Sequence, residues 1–420
     1  MSRKPNLNPN EFGILNQRGF LPAPSPIKNS MEAHNELRVA TPGARAALDW
    51  IDELVLNLPK LIMAGKARTM IKKALDQILF YNMDYHLQNL ILNVQSHNIL
   101  AYLMRSFSFL GHALVWEDPE NPMDHIHAGL AVPWHAVAQR LGRPPVLSYA
   151  SYALDNWRMI EEGSIEIGNI AILQNFLGGI DEDWFILVHV EIEAEAGTIP
   201  RSIAQALKCI ARKDAIGLYA NLCDIAKAEK QMYETLLRMP EHCDPHLYYT
   251  RVRPWIHGWI NPALPNGMVY EGVEEYEGKP QKFRGETGAQ SSIIPLLDAF
   301  LEIEHADNKL TSYLLEMRDY MPPKHRKFIE EVERLVREGL SVKKFIRDDA
   351  LLSHSLQSCY HWLELFRNKH LEYAATYIQR QSQQSKSNPS EVGTGGTPFM
   401  PYLKEHLEDT KKARKEDPKV

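Results

Sequence analysis

The 420-residue chain is poor in cysteine: it has four, Cys209, Cys223, Cys243 and Cys359, with no CxxC pair and no zinc-knuckle spacing. A disulfide framework and a structural zinc site are thereby disfavoured, and so sparse a set fits a reducing compartment. There is no HExxH motif either. Positive charge is not in excess, with 47 basic against 53 acidic residues and a formal net charge of −6, which argues against nucleic acid or an acidic membrane surface as a partner. The basic clusters at 324–327 and 411–415 are short, have acids close by, and read as solvated surface. The opening MSRKPNLNPNEFG has no apolar stretch of the kind a secretory signal needs, so a cytoplasmic location is expected. The most apolar long run, 99–116, is interrupted by Arg105 and His112 and reads as a buried core helix, too short and too polar for a membrane span.

Strand-like alternation is scarce, and helical periodicity dominates. Leu48, Ile51, Leu54 and Val55, then Ile71, Leu75, Ile78 and Leu79, then Leu87, Leu90, Ile91 and Val94 recur at 3.6-residue spacing. They predict a small helical layer, covering 1–120 with an extended Pro- and Asn-rich lead-in. The turn-forming stretch WEDPENPMDH, 116–125, marks a boundary. Beyond it, helical periodicity near 131–142, 148–160, 184–213, 214–238, 244–258, 290–318, 324–340 and 351–382 predicts a larger all-α domain over 121–420. A short β pair is expected around 267–277, and the low-complexity run 380–398 is expected to be a mobile loop before a last helix from about Phe399.

Three places offer chemistry. Leu363, Phe366, His370, Tyr373 and Ala374 fall on one helical stripe, which places an imidazole on an apolar face. A buried imidazole requires partners. A core hydrogen bond meets that need, and so does a haem iron, with Arg367 one turn earlier available to a propionate or a buried acid; spacing leaves both open. In LYYTRVRPW, 247–255, two tyrosines and two arginines suit a planar substrate with a carboxylate, or ordinary helix packing. The GTGGT run at 393–397 lacks the lysine and following helix of a phosphate-binding loop. His125, His127, His354 and His361 read as surface, capping or packing groups.

Taken in order, these segments and the blocks around them resemble the indoleamine 2,3-dioxygenase family. The similarity runs from about Gly129 to Leu407. It is strongest in LAVPWHAVAQRLGRPPVLSYASYALDNW, in YYTRVRPW with LPNGMVYEG, in RGETGAQSSIIPLLDAFLEIEH and in MRDYMPPKHRKFIEEVE, with FRNKHLEYAATYI and GTGGT following. The resemblance implies a mainly helical two-domain fold holding haem b, with His370 as the iron's protein ligand and an Arg367–Asp298 pair at a propionate. It implies a distal pocket of Tyr149, Tyr152, Ala153, Phe185, Tyr248 and Tyr249, with Arg253 on the substrate carboxylate. Thr287 and Gly288 fall at the distal haem face, and Thr394 near the amino-acid end of the substrate.

Two departures stand out. His189 occupies a position where the family usually has serine; the related tryptophan 2,3-dioxygenases carry a distal histidine that accepts a hydrogen bond from the indole N–H, and His189 either does likewise or turns back into its own helix. Tyr248-Tyr249 adds hydroxyls where phenylalanine is common. The implied activity is cleavage of the indole C2–C3 bond of tryptophan, or of a related indoleamine, by O₂ to give N-formylkynurenine, with an electron donor keeping the iron ferrous. Alternatives are a haem mono-oxygenase or other indole-modifying enzyme, and a non-catalytic haem-binding signalling protein.

Overall fold

The computed structural model describes residues 7–15, 17–37, 41–306, 308–346, 349–383, 393–396 and 399–416. Among them the chain is mainly helical, with two small two-stranded sheets. The first layer is built from Pro42–Met63, Ala67–Phe80, Met83–Asn93 and His97–Trp116. Thr41 and Ser96 cap the first and last of these by accepting from backbone N–H groups three residues on.

The helix His97–Trp116 is, contrary to the sequence expectation, long and apolar enough to cross a membrane, yet its apolar window is wholly buried inside the fold, as a core helix. Its two polar interruptions both find internal partners. Arg105 donates to the carbonyls of Asp155 and Ile27, at 2.5 and 2.7 Å. His112 Nδ1 lies 2.8 Å from the Trp255 carbonyl, and Leu147 N–H donates to its Nε2. A buried polar group without such partners would cost several kcal/mol, on the order of 2–7.

The interior forms two hydrophobic clusters. One gathers the four helices above with Ala128–Leu141 and segments near 146–190 and 255–276, so it continues past the turn at 116–125. The other joins Ile199–Arg212, Ala215–Leu237, Ile293–Leu301, Pro323–Arg337 and the long helix Ala350–Ala374, with Leu7, Ile14 and Phe20 of the lead-in packed on it.

Several predicted elements break where local chemistry demands it. The run at 184–213 is two helices, Ile180–Glu195 and Ile199–Arg212, because Pro200 lacks the N–H a continuous helix needs. The 290–318 segment divides likewise into Ile293–Leu301 and Lys309–Met317. The 148–160 run is a π-type turn, Ala150–Leu154, leading into the strand Trp157–Met159, which pairs antiparallel with Ile170–Ile172. Val269–Tyr270 does form a strand, but it pairs in parallel with the distant His125–Ile126 instead of within a local hairpin. Of the expected loop 380–398, residues 384–392 and 397–398 lie outside the described residues. Arg380–Ser382 is helical, and residues 393–396 are docked against 256–286.

Candidate active site

Between the Ala350–Ala374 helix and the segments facing it lies a cavity of about 780 Å³, within the ~300–1,000 Å³ usual for small-molecule and cofactor sites. Tyr149, Phe185, His189, Tyr248, Thr287, Gly288, Asp298, Arg367, His370 and Thr394 all line it. Segments that are up to 245 residues apart in sequence therefore converge on one wall, since 394 minus 149 is 245.

Phe366, His370 and Tyr373 form the lining stripe of one helix. His370 is not packed into hydrocarbon: its side chain is exposed, and what it is exposed to is the cavity. Among the described residues neither of its ring nitrogens has a hydrogen-bond partner. Surrounding protein still desolvates the ring, and with His189 nearby this pulls its pKa down to about 4, so the imidazole is neutral with a lone pair to offer. Arg367 is buried one turn earlier and donates to both oxygens of Asp298 at 2.7 Å, and to the Thr410 hydroxyl. Burial would raise Asp298, but Arg367 and His305 outweigh it and hold the carboxyl at about 2. His305 bridges Asp298 and Asp409 and stacks on His406, so the rim carries a connected set of ions.

The facing wall is aromatic. Phe185 lies 4.8 Å from Tyr248 and 4.5 Å from His189, ring to ring, and His189 lies 5.9 Å from Tyr149. Tyr248 meets Tyr377 at 5.7 Å. Three π-type turns, Ala150–Leu154, Tyr248–Val252 and Ala375–Gln379, border this wall; such irregularities concentrate at functional sites. His189 Nδ1 is 2.7 Å from the Phe185 carbonyl in its own helix. A carbonyl can only accept, so Nδ1 carries the proton and Nε2 is left as an acceptor. Desolvation lowers its pKa, which keeps the ring neutral.

Four expected pocket residues sit one layer back. The turn at Ala150–Leu154 sends Tyr149 to the cavity and Tyr152 toward Phe109, 6.0 Å away, with Ala153 buried beside it. Tyr249 is fully buried behind Tyr248, with Arg253 stacked 5.5 Å over its ring. The Arg253 guanidinium is itself fully buried and lies 3.2 Å from His257 Nε2.

Two buried carboxyls at the site carry no sequence motif of their own. Glu193 is buried and accepts from Ser291 Oγ at 2.7 Å; burial raises it to about 7 against the hydrogen bonds of Ser291 and Tyr149. Glu286 lines the cavity directly and is raised to about 8 by burial. Its backbone is fixed on both sides: its N–H donates to Ile256, and its carbonyl accepts from Thr394 Oγ1. This placement requires Gly258 and Gly285 to cross at contact, for a Cβ on either would lie 2.1 or 2.2 Å from the other's nitrogen. That close glycine crossing is the signal that the sequence does carry.

The described residues contain no cluster of three or more chelating side chains. Neutral imidazoles at His370 and His189 in a large aromatic cavity, with an arginine-centred ionic rim, instead fit a planar prosthetic group that carries carboxylates and that one imidazole would hold. Fold and cavity thus define a mainly helical protein with a large cavity whose size and lining suit a prosthetic group.

The comparisons with known proteins agree. The model of the indoleamine 2,3-dioxygenase family matches residues 8–413. The chain is 32% identical over 373 residues to indoleamine 2,3-dioxygenase 1 of Rattus norvegicus, covering 85% of this chain and 87% of that protein. It is 27% identical over 455 aligned positions to the indoleamine 2,3-dioxygenase of Saccharomyces cerevisiae, covering 94% and 95%. A protein named myoglobin from Haliotis madaka is 28% identical over 374 residues, covering 86% and 91%. The chain belongs to the indoleamine 2,3-dioxygenase family, whose members are in general haem-dependent oxidoreductases.

Proposed function

We propose that this protein binds haem b through His370 and cleaves the indole C2–C3 bond of tryptophan, or of a close indoleamine, with O₂ to give N-formylkynurenine. The observation that carries the reading is the neutral His370 imidazole, without a hydrogen-bond partner among the described residues and facing an aromatic cavity of about 780 Å³. Haem, when bound, supplies O₂ binding and the electron chemistry, and an external donor keeps its iron ferrous.

The protein's own groups supply position and polarity. His370 offers one neutral nitrogen from a rigid helix, and Arg367, braced by Asp298, offers its charge to a haem carboxylate. Tyr149, Phe185 and Tyr248 hold the indole ring by its faces, while Thr287 and Gly288 close the wall beside it. His189, locked as an acceptor at Nε2, receives the indole N–H. Thr394, tied to the Glu286 carbonyl, closes the amino-acid end. Arg253 takes the substrate carboxylate by turning from His257 past Tyr249; Tyr152, Ala153 and Tyr249 support the wall from behind.

Turnover of tryptophan under isotopically labelled O₂ tests this. Two labelled oxygens in N-formylkynurenine are expected, whereas a single labelled oxygen would make the protein a mono-oxygenase. A second reading, non-catalytic haem binding, is motivated by the relative that bears the name myoglobin. Stable haem uptake without tryptophan loss would establish it.

A further inference from the structure

Glu286 is a buried cavity-lining acid that the site as described does not use, unlike Asp298, which pairs with Arg367. It is 3% exposed, and no hydrogen bond to its carboxyl exists among the described residues. The ionisable groups that feel its charge are the hydroxyls of Tyr149, Tyr152 and Tyr248, on the two segments packed against it, and all three are held as neutral phenols by burial. The cavity histidines His189 and His370 are neutral too. Arg284, two residues earlier, is turned away onto Glu316 and the Gly395 carbonyl. Arg253 lies at His257. A carboxyl in such a place is desolvated by the surrounding protein and meets no cation among the described residues.

We propose that Glu286 is the counter-ion for the ammonium group of the substrate, which makes the pocket selective for indoles that carry a cationic nitrogen at the Thr287–Thr394 end. The proposal rests on the tryptophan reading above and deepens it. Thr394 is bound to the Glu286 backbone, so the carboxyl stands at the end of the cavity where the 393–396 segment closes. An acid in this position is uncharged while the site is empty, since burial raises it to about 8. When an ammonium arrives, the carboxylate form becomes the favoured one. The Glu286 O–H bond breaks, the proton leaves to solvent, and the carboxylate pairs with the ammonium. No electrons move. Selectivity follows, because an indole lacking the amine leaves the acid protonated and unpaired.

The test is calorimetric titration of the haem-loaded protein without O₂ at pH 7, in buffers of different ionisation enthalpy, with tryptophan and with indole-3-propionate. We expect close to one proton released per tryptophan bound and none for indole-3-propionate. Glu286→Gln should abolish the release and weaken tryptophan about tenfold or more, the loss of a charge-assisted contact, while leaving indole-3-propionate binding unchanged or tighter. Equal proton counts for the two ligands on the unmodified protein, a result that needs no variant to fold, would overturn the proposal alone. So would a folded Glu286→Gln protein that binds tryptophan with undiminished affinity. Absence of any tryptophan binding by the wild type would overturn the tryptophan reading itself, and this proposal with it.

Discussion

The two walls of the cavity are built on opposite principles. The His370 wall comes largely from one long helix, Ala350–Ala374, braced by the Arg367–Asp298 pair and by Phe399–Glu416 packed alongside through Thr410. The facing wall is assembled from pieces near 149, 185–189, 248, 286–288 and 394, joined by π-type turns, a glycine crossing and buried acids. A helix with an ion pair behind it holds a nitrogen in one place. Irregular segments carrying tyrosines, a histidine and a protonated carboxyl discriminate among ligands. The lesson is a division of labour: damage to the first wall should cost cofactor retention and stability, and damage to the second should cost substrate affinity.

The largest effect short of losing the ligand itself should come from Asp298→Ala. It strips the partner from a buried arginine, a change of about 3–5 kcal/mol in stability. Chemical denaturation should show that loss together with faster haem release. A variant that is as stable and as haem-replete as wild type would remove the distinction between the walls. Next in size is Arg253→Ala, expected to raise KM for tryptophan by on the order of 10- to 100-fold, the loss of a charge-assisted hydrogen bond, with haem content unchanged. Unchanged KM would leave Arg253 as a packing residue held at His257.

A smaller effect concerns pH. Glu193 and Glu286 keep their protons in the folded state up to about 7 and about 8, against an ordinary glutamate value of 4.5. The folded form therefore binds more protons across that window. Their contribution to stability is full below 4.5 and is lost as pH rises through about 8. His189, lowered by burial, acts in the opposite sense on the acid side. Thermal unfolding from pH 5 to 9 should accordingly fall less steeply in Glu193→Gln and Glu286→Gln than in wild type; parallel curves would show that these acids are not protonated in the folded protein. The smallest effect is His189→Ser. It should reduce the preference for indoles with a free N–H over N-methyl analogues by a few-fold, and an undiminished preference would mean that Nε2 does not meet the substrate.

The same contrast explains what the sequence reveals. The His370 wall is legible because one helix repeats every 3.6 residues, so Phe366, His370 and Tyr373 share a face from spacing alone. Spacing does not say that this face opens onto a cavity; that depends on what the partner segments leave unfilled. The facing wall is legible only through resemblance to a family, because no local rule joins Tyr149 to Thr394. Resemblance also placed Tyr152, Ala153, Tyr249 and Arg253 at the pocket, where the turn geometry sets them one layer behind it. Glu286 is not legible in the sequence because a lone glutamate is usually solvated, and its burial follows from two glycines meeting across 27 residues, 285 minus 258. The mainly helical class was readable from periodicity, whereas the parallel pairing of His125–Ile126 with Val269–Tyr270 is non-local and left no pattern.

The central claim concerns the nitrogen on the first wall. The absorption spectrum of the ferrous protein should show a histidine-ligated Soret band that His370→Gly loses and that added imidazole restores. A His370→Gly protein with the wild-type spectrum and full haem content would contradict the account.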